Sequence, residues 1–236
     1  MMIEKRPAAP TQNLTRNLTR ILTACVGLTL TAGALLPAAG CSTAYYRTME
    51  YFGKEKRDIL ATRVKDAKAD QIEAKQQFQS SLERFSALVN APNSDLKKAY
   101  DKAKSDLEKS ESKASAVHDR VKSVESVGTD LFEEWKTENQ AYSDASLKSK
   151  SEQLLRGTRA KYDDMLAAMQ KSEATMEPVL VKFRDNVRFM KSNLNAQAVS
   201  AMKGNVSDLQ RDIGTLIQEM ETSIAESDKF INELQK

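Results

Sequence analysis

Residues Leu96 to Tyr142, LKKAYDKAKSDLEKSESKASAVHDRVKSVESVGTDLFEEWKTENQAY, decide the fold. Spacings of four and three alternate through the run without a break: Leu96, Tyr100, Ala103, Leu107, Ser110, Ala114, Val117, Val121, Val124, Gly128, Leu131, Trp135, Glu138, Tyr142. Such a repeat keeps one seam of a helix turned toward a partner, so it predicts one long coiled-coil helix. At a rise of about 1.5 Å per residue that helix is about 70 Å long. Ser110 and Gly128 weaken the seam, and Glu138 is a polar intruder near its end.

Beyond Ser143 and Asp144, either of which suits an N-cap, a second series runs through Leu155, Arg159, Tyr162, Leu166, Met169, Glu173, Met176, Leu180, Phe183, Val187, Met190 and Leu194. Folding the chain back at the turn predicts an antiparallel hairpin. With a minimal turn, Phe183 meets Ala103, Leu180 meets Leu107, Glu173 meets Ala114 and Arg159 meets Gly128, large residues tending to face small ones. Pro178 breaks the hydrogen-bond ladder but not the apolar phase, which predicts a kink and no reversal.

The phase does change after Leu194, where Asn193-Leu194-Asn195 reads as a turn with Asn195 as cap. A further strict series follows through Val199, Met202, Val206, Leu209, Ile213, Leu216, Met220, Ser223, Ser227, Phe230 and Leu234. Upstream, a less regular one runs through Tyr45, Met49, Phe52, Leu60, Val64, Ala67, Ala74, Phe78, Leu82, Phe85 and Val89, and stops at Asn90-Ala91-Pro92-Asn93. No stretch alternates with period two, so the fold class is all-α: an elongated antiparallel bundle of four long coiled-coil helices, at about 44–89, 94–142, 144–194 (kinked near 178) and 196–235. The pattern leaves open one closed bundle or two hairpins that splay and meet in a dimer.

The first 40 residues read differently. Lys5, Arg6, Arg16 and Arg20 precede an apolar run from Ile21 to Leu36, closed by Pro37-Ala38-Ala39-Gly40 and then Cys41. Charged, apolar and small-residue regions in that order predict an export signal. The run is short and interrupted for a membrane-spanning helix of about 20 apolar residues. The layout is that of a bacterial lipoprotein signal over residues 1–40, with Cys41 as the lipidated first residue of a mature chain 41–236. Leu22-Thr23-Ala24-Cys25 fits the local cleavage pattern better, but Arg16 and Arg20 occupy the place of its apolar region. Ordinary cleavage after Gly40 would instead leave a periplasmic protein without a lipid. Ser42, where inner-membrane retention favours Asp, predicts the outer membrane.

Removing residues 1–40 also removes the formal charge of +3, carried by the four basic residues less Glu4. The remaining 196 residues are net neutral, with charges interspersed and no basic block, so no nucleic-acid partner is expected. Cys25 leaves with the signal and lipid consumes Cys41, so no disulfide is available.

Reactive groups are scarce in the mature chain. His118 is the one histidine of the sequence and lies beside the seam, with no thiol and no second histidine to work with. Carboxylate-bridged metal bundles need Glu three residues before His, and Ser115 stands there. No catalytic residue, metal site or cofactor is therefore expected, apart from the covalent lipid on Cys41. Glu138, Arg159 and Glu173 on apolar seams read as register-setting polar residues, with Lys148 a candidate partner of Glu138. Trp135 reads as a core anchor, and Glu133-Glu134 and Asp163-Asp164 as solvated faces. Tyr45 and Tyr46, close to the lipid, suit a headgroup interface or the first turn of the core.

Several runs also resemble a bacterial family catalogued as domain of unknown function 2959. They are Cys41-Ser42-Thr43-Ala44-Tyr45-Tyr46, Met49-Glu50, Gly53, Lys56-Arg57-Asp58-Ile59-Leu60, Phe78-Gln79-Ser80 to Ala87, Leu131-Phe132-Glu133-Glu134-Trp135, Met176-Glu177-Pro178-Val179-Leu180, Asn193-Leu194-Asn195-Ala196 and Glu219-Met220-Glu221. The resemblance spans the mature chain and implies a lipoprotein-like helical protein with Cys41 as its first residue. It brings no established activity and transfers no catalytic or binding residue.

The function expected from these features is non-enzymatic: a bundle anchored to the periplasmic side of the outer membrane through acylated Cys41, with a structural or protein-interaction role. A protein partner or a second copy would bind helix faces, for which a second stripe, Ile217, Ile224 and Ile231, is a candidate unless it merely widens the core. The alternative is a ligand-sensing or lipid-handling bundle that admits an apolar molecule beside Met165, Met169, Met176, Met190, Met202 and Met220.

Overall fold

A computed structural model describes residues 56–90 and 95–234 of the chain. These form α1 (Lys56–Asn90), α2 (Leu96–Ala141), α3 (Ala145–Ser192), α4 (Ala196–Ala201) and α5 (Lys203–Leu234). The four long helices pack in a ring, α1 against α2, α2 against α3, α3 against α5 and α5 back against α1. The seams therefore close on one another as a single bundle and do not splay as separate hairpins.

Local side-chain chemistry starts α2, α3 and the short α4. The Asp95 carboxylate accepts from the backbone N–H groups of Lys97 and Lys98, and Asp144 accepts from Ser146 and Leu147. Asn195 accepts from Ala198. These caps satisfy first-turn donors that have no partner inside the helix. α3 runs unbroken through Pro178. The fourth expected helix, in contrast, is interrupted: Met202 N–H bonds to Val199 O at 3.1 Å, an i to i−3 contact that tightens the turn and separates α4 from α5. The apolar phase survives, since Val199, Met202 and Val206 are all buried.

The hairpin of α2 and α3 differs in register from the expectation. Gly128 receives Tyr162, three residues beyond Arg159, and Glu173 meets His118 in place of Ala114. Two causes act together. Three residues, Tyr142 to Asp144, are spent between the helices, and α3 buries Met165 and Ser172 where the strict repeat has Leu166 and Glu173. A 3.6-residue helix drifts against a 3.5-residue repeat. The drift lets small Ser172 enter the core and keeps the Glu173 carboxylate at its edge, where less solvation is lost.

The core also holds polar contacts between helices. Gln71 of α1 donates to Ser172 Oγ of α3 at 3.0 Å and accepts from Ser223 Oγ of α5 at 2.9 Å. Nearer the opposite end, Ser81 and Ser110 hydroxyls meet at 3.2 Å, and Arg84 forks onto the buried Asp106 carboxylate at 2.6 and 2.8 Å. Next after Arg84 in α1, Phe85 lies edge-on to Phe183 with the ring centres 5.4 Å apart.

Candidate functional site

Cys41, Tyr45 and Tyr46 lie outside the described residues. The bundle end to which they lead is well defined. Lys56 Nζ pairs with Glu134 at 2.8 Å, and the Arg57 guanidinium sits 5.5 Å from the centre of the Trp135 ring. The start of α1 is thereby fixed beside the last turns of α2. Trp135 Nε1–H donates to Ser151 Oγ at 3.0 Å, and Ser151 Oγ donates to Asn139 Oδ1 at 2.5 Å. Trp135 is half-buried, one wall of an open groove of about 620 Å³ that includes Arg57, Glu138, Tyr142 and Ser151.

Of the three polar seam residues, none enters the core. Glu138 is exposed and forms no ion pair with Lys148; buried Asn139 takes the inward position beside it. Arg159 lies over the Phe132 and Tyr162 rings at 5.0 and 5.6 Å and pairs with Asp163 at 2.8 Å. A guanidinium can cover aromatic faces while its charge stays wet. Glu173 Oε1 lies 2.6 Å from His118 Nδ1, within hydrogen-bond distance.

The His118–Glu173 pair borders a second open groove of about 350 Å³, with Glu111, Ser115, Met176, Glu177 and Arg184. Arg184 bridges Glu111 at 2.6 and 2.9 Å and Glu177 at 3.5 Å, and its hydrogen bond to Glu111 raises its pKa further. An imidazole with a carboxylate on Nδ1 has the geometry of an oriented base. No hydrogen bond joins it to Ser115, however, and the groove walls are helix interiors whose backbone N–H groups are committed to the ladder. The groove therefore offers no backbone oxyanion hole. Among the described residues no cluster of three or more His, Cys, Asp or Glu is placed to hold a metal ion.

The methionines Met165, Met169, Met176, Met190, Met202 and Met220 are all buried in the closed core. Ile231 is buried as well, and Ile217 packs against the core. Two of the three residues of the second stripe of α5 thus belong to the core, while Ile224 is half-buried outside it. What the sequence pattern missed is the polar layer around Gln71. Its signal was present: the α1 series has a seven-residue gap between Ala67 and Ala74, and Gln71 fills the position that continues the phase.

Residues 45–234 match the model of a family described as Protein of unknown function (DUF2959). The chain belongs to that family. No curated protein matches it. DUF2959 membership therefore covers nearly the whole bundle, from before α1 to the end of α5, without assigning a reaction. Among the described residues, no helix of this DUF2959 protein is long and apolar enough to cross a membrane.

Proposed function

We propose that the chain is a lipid-anchored helical bundle on the periplasmic side of the bacterial outer membrane, with a non-enzymatic structural or protein-interaction role. The observation that carries this reading is the order of the first 41 residues: basic start, apolar run, small residues, then Cys41. Several acyl chains on one cysteine make a stable anchor without a spanning helix. The closed bundle then acts by geometry, holding side chains on rigid helices at a fixed distance from the bilayer. His118 is exposed, and the helix walls of its groove leave no backbone N–H free as an oxyanion donor, which supports a role without turnover. An apolar-ligand bundle would need space beside the methionines, and their complete burial favours their use as core filler.

The test is intact mass and membrane fractionation of the protein from its host, wild type against Cys41→Ala. The expected product starts at Cys41, carries acyl mass, fractionates with the outer membrane, and loses both properties in the variant. An unmodified product free in the periplasm overturns the anchor.

A further inference from the structure

We infer that the groove beside Trp135, with the uncovered face of α3 next to it, is the seat of the chain's own residues Tyr45 to Phe52, docked as a continuation of α1. The docking stands on the geometry of the bundle; only its consequence for the anchor rests on the function proposed above.

By its phase the uncovered face belongs to the core. Leu147 and Leu154 stand eighteen residues before Met165 and Ser172, five whole turns at about 3.6 residues per turn, so all four lie on one side of α3. Met165 and Ser172 are fully buried, whereas Leu147 is 52% and Leu154 63% exposed. On α2, Trp135 is half-buried in the groove wall, and Tyr142, just past the helix end, is 44% exposed. Asn139 is 3% exposed, and its amide Nδ2 has no hydrogen-bond partner among the described residues. A segment seated here can supply the acceptor that this buried donor lacks.

The helix that covers the same face further along identifies the occupant. Ser172 is met by Gln71 of α1 at 3.0 Å, and α1 and α3 run in the same direction, both antiparallel to α2. Going back equally along both helices brings Leu154 level with Gly53 and Leu147 level with Tyr46. The α1–α2 ion pairs give the same level independently. From Arg84–Asp106 to Asp70–Arg120 to Lys56–Glu134, each step of fourteen residues back along α1 is a step of fourteen forward along α2. Continued, that register sets Phe52 opposite Glu138 and Met49 opposite Ala141.

The sequence places apolar side chains where this register needs them. From Val64 and Leu60, both buried, the phase continues through the Lys56 stem to Phe52, Met49 and Tyr45 at spacings of four and three. Gly53 lowers helix propensity by about 1 kcal/mol, so packing on α2 and α3 has to hold the segment. Tyr45 then comes level with the α2–α3 turn. Cys41 is four residues beyond it, at most about 14 Å of extended chain. A lipid on Cys41 therefore holds the hairpin end of the bundle against the bilayer with almost no slack.

The chain 41–236 with Cys41→Ser contains the whole described bundle, no thiol and one tryptophan, Trp135. Met49→Ser with Phe52→Ser removes apolar burial from the segment and is expected to raise acrylamide quenching of Trp135 about twofold. Arg47→Ser with Lys54→Ser, off the apolar phase, is expected to leave it unchanged, and circular dichroism reports whether each variant keeps its helices. In a second measurement, Phe52→Cys with Glu138→Cys, one turn beyond the Lys56–Glu134 pair on both helices, is treated with a short bifunctional maleimide. A cross-link within one chain is expected. Unchanged quenching in the Met49–Phe52 variant, or no cross-link, overturns the docking. A cross-link between chains makes a second copy the occupant, and its loss on adding phosphatidylglycerol vesicles makes lipid the occupant; either overturns the proposal. Absence of acyl mass in the host overturns the anchor and leaves the docking standing, because this chain carries no lipid.

Discussion

A β-carbon built on Gly128 would lie 2.2 Å from the Tyr162 ring and hydroxyl. The glycine is required here because an aromatic ring of the facing helix rests directly on the α2 backbone. Tyr162 OH donates to Val124 O at 3.2 Å, and Phe132 and Phe230 close the ring in from two sides. Gly128→Ala gains helix propensity, worth about 1 kcal/mol, yet must displace a ring that is almost fully buried. Overpacking of that kind costs about 1–3 kcal/mol, more when several side chains move. The expected net result is a lowered urea midpoint, and Tyr162→Leu added to Gly128→Ala should recover part of it. An increase in stability on Gly128→Ala alone would show that the ring moves aside freely.

Gln71 links three helices, and its partners decide what its loss does. Ser172 Oγ also donates to Met169 O at 2.9 Å, so it keeps a bond when Gln71 is gone. Ser223 Oγ loses its acceptor on α1 but sits in a helix whose own carbonyl one turn back is within reach of a serine hydroxyl. Gln71→Met, similar in volume, is expected to cost less than about 1 kcal/mol, and Gln71→Ala about 2 kcal/mol because of the cavity. Urea unfolding of the two variants checks the order. Equal losses would mean that the hydrogen bonds, and not the filled volume, carry the contribution.

The fold class was legible because a period of alternating four and three survives polar interruptions. Phase depends only on where apolar residues recur, and Val117, Val121 and Val124, or Leu209, Ile213 and Leu216, recur without ambiguity. Register was less legible. Sliding one α-helix along another by a turn preserves most apolar contacts, so the choice rests on a few shape-specific pairs such as Tyr162 on Gly128. The edge residues were the least legible: whether Glu173 or Ser172 turns inward depends on a small rotation of α3. Closure of the ring followed from packing on a second face, which a seam drawn as one line does not represent. As for the site, the proposal for Cys41 rests on residue order alone, whereas the pairing of His118 with Glu173 is recognised only once the register of α3 is known.

Arg84 and Asp106 form the most buried ion pair of the described bundle. Asp106 is 4% exposed while the Arg84 side chain is about one-third exposed. Arg84→Ala strands a buried carboxylate, which costs about 3 kcal/mol where burial is complete and nearer 2 kcal/mol here, since water reaches the guanidinium side. Arg84→Met with Asp106→Leu removes both charges and should lose less than Arg84→Ala. A double variant as unstable as the sum of its single variants would show that the two residues are not energetically coupled.

Tyr162 supplies a pH dependence at the alkaline end. Burial raises its pKa above the ordinary value of 10.0, because the phenolate would lose its solvation against Gly128; Arg159 opposes the shift and does not cancel it. In the unfolded chain the phenol ionises near its ordinary pKa, while in the bundle it stays neutral. Above that pH the unfolded state therefore binds fewer protons than the folded one, and stability falls as pH rises. The contribution of the neutral ring is fully present below pH about 10 and is lost as pH climbs toward the folded-state value. Tyr162→Phe removes this component along with the hydrogen bond to Val124 O, so the variant should be less stable near neutrality but show a shallower decline above pH about 10. Urea midpoints of the two proteins across that range make the comparison, and the lysines, which titrate in both, cancel in the difference. Parallel declines would mean that the phenol ionises in place, with the α2–α3 interface open to water at Gly128.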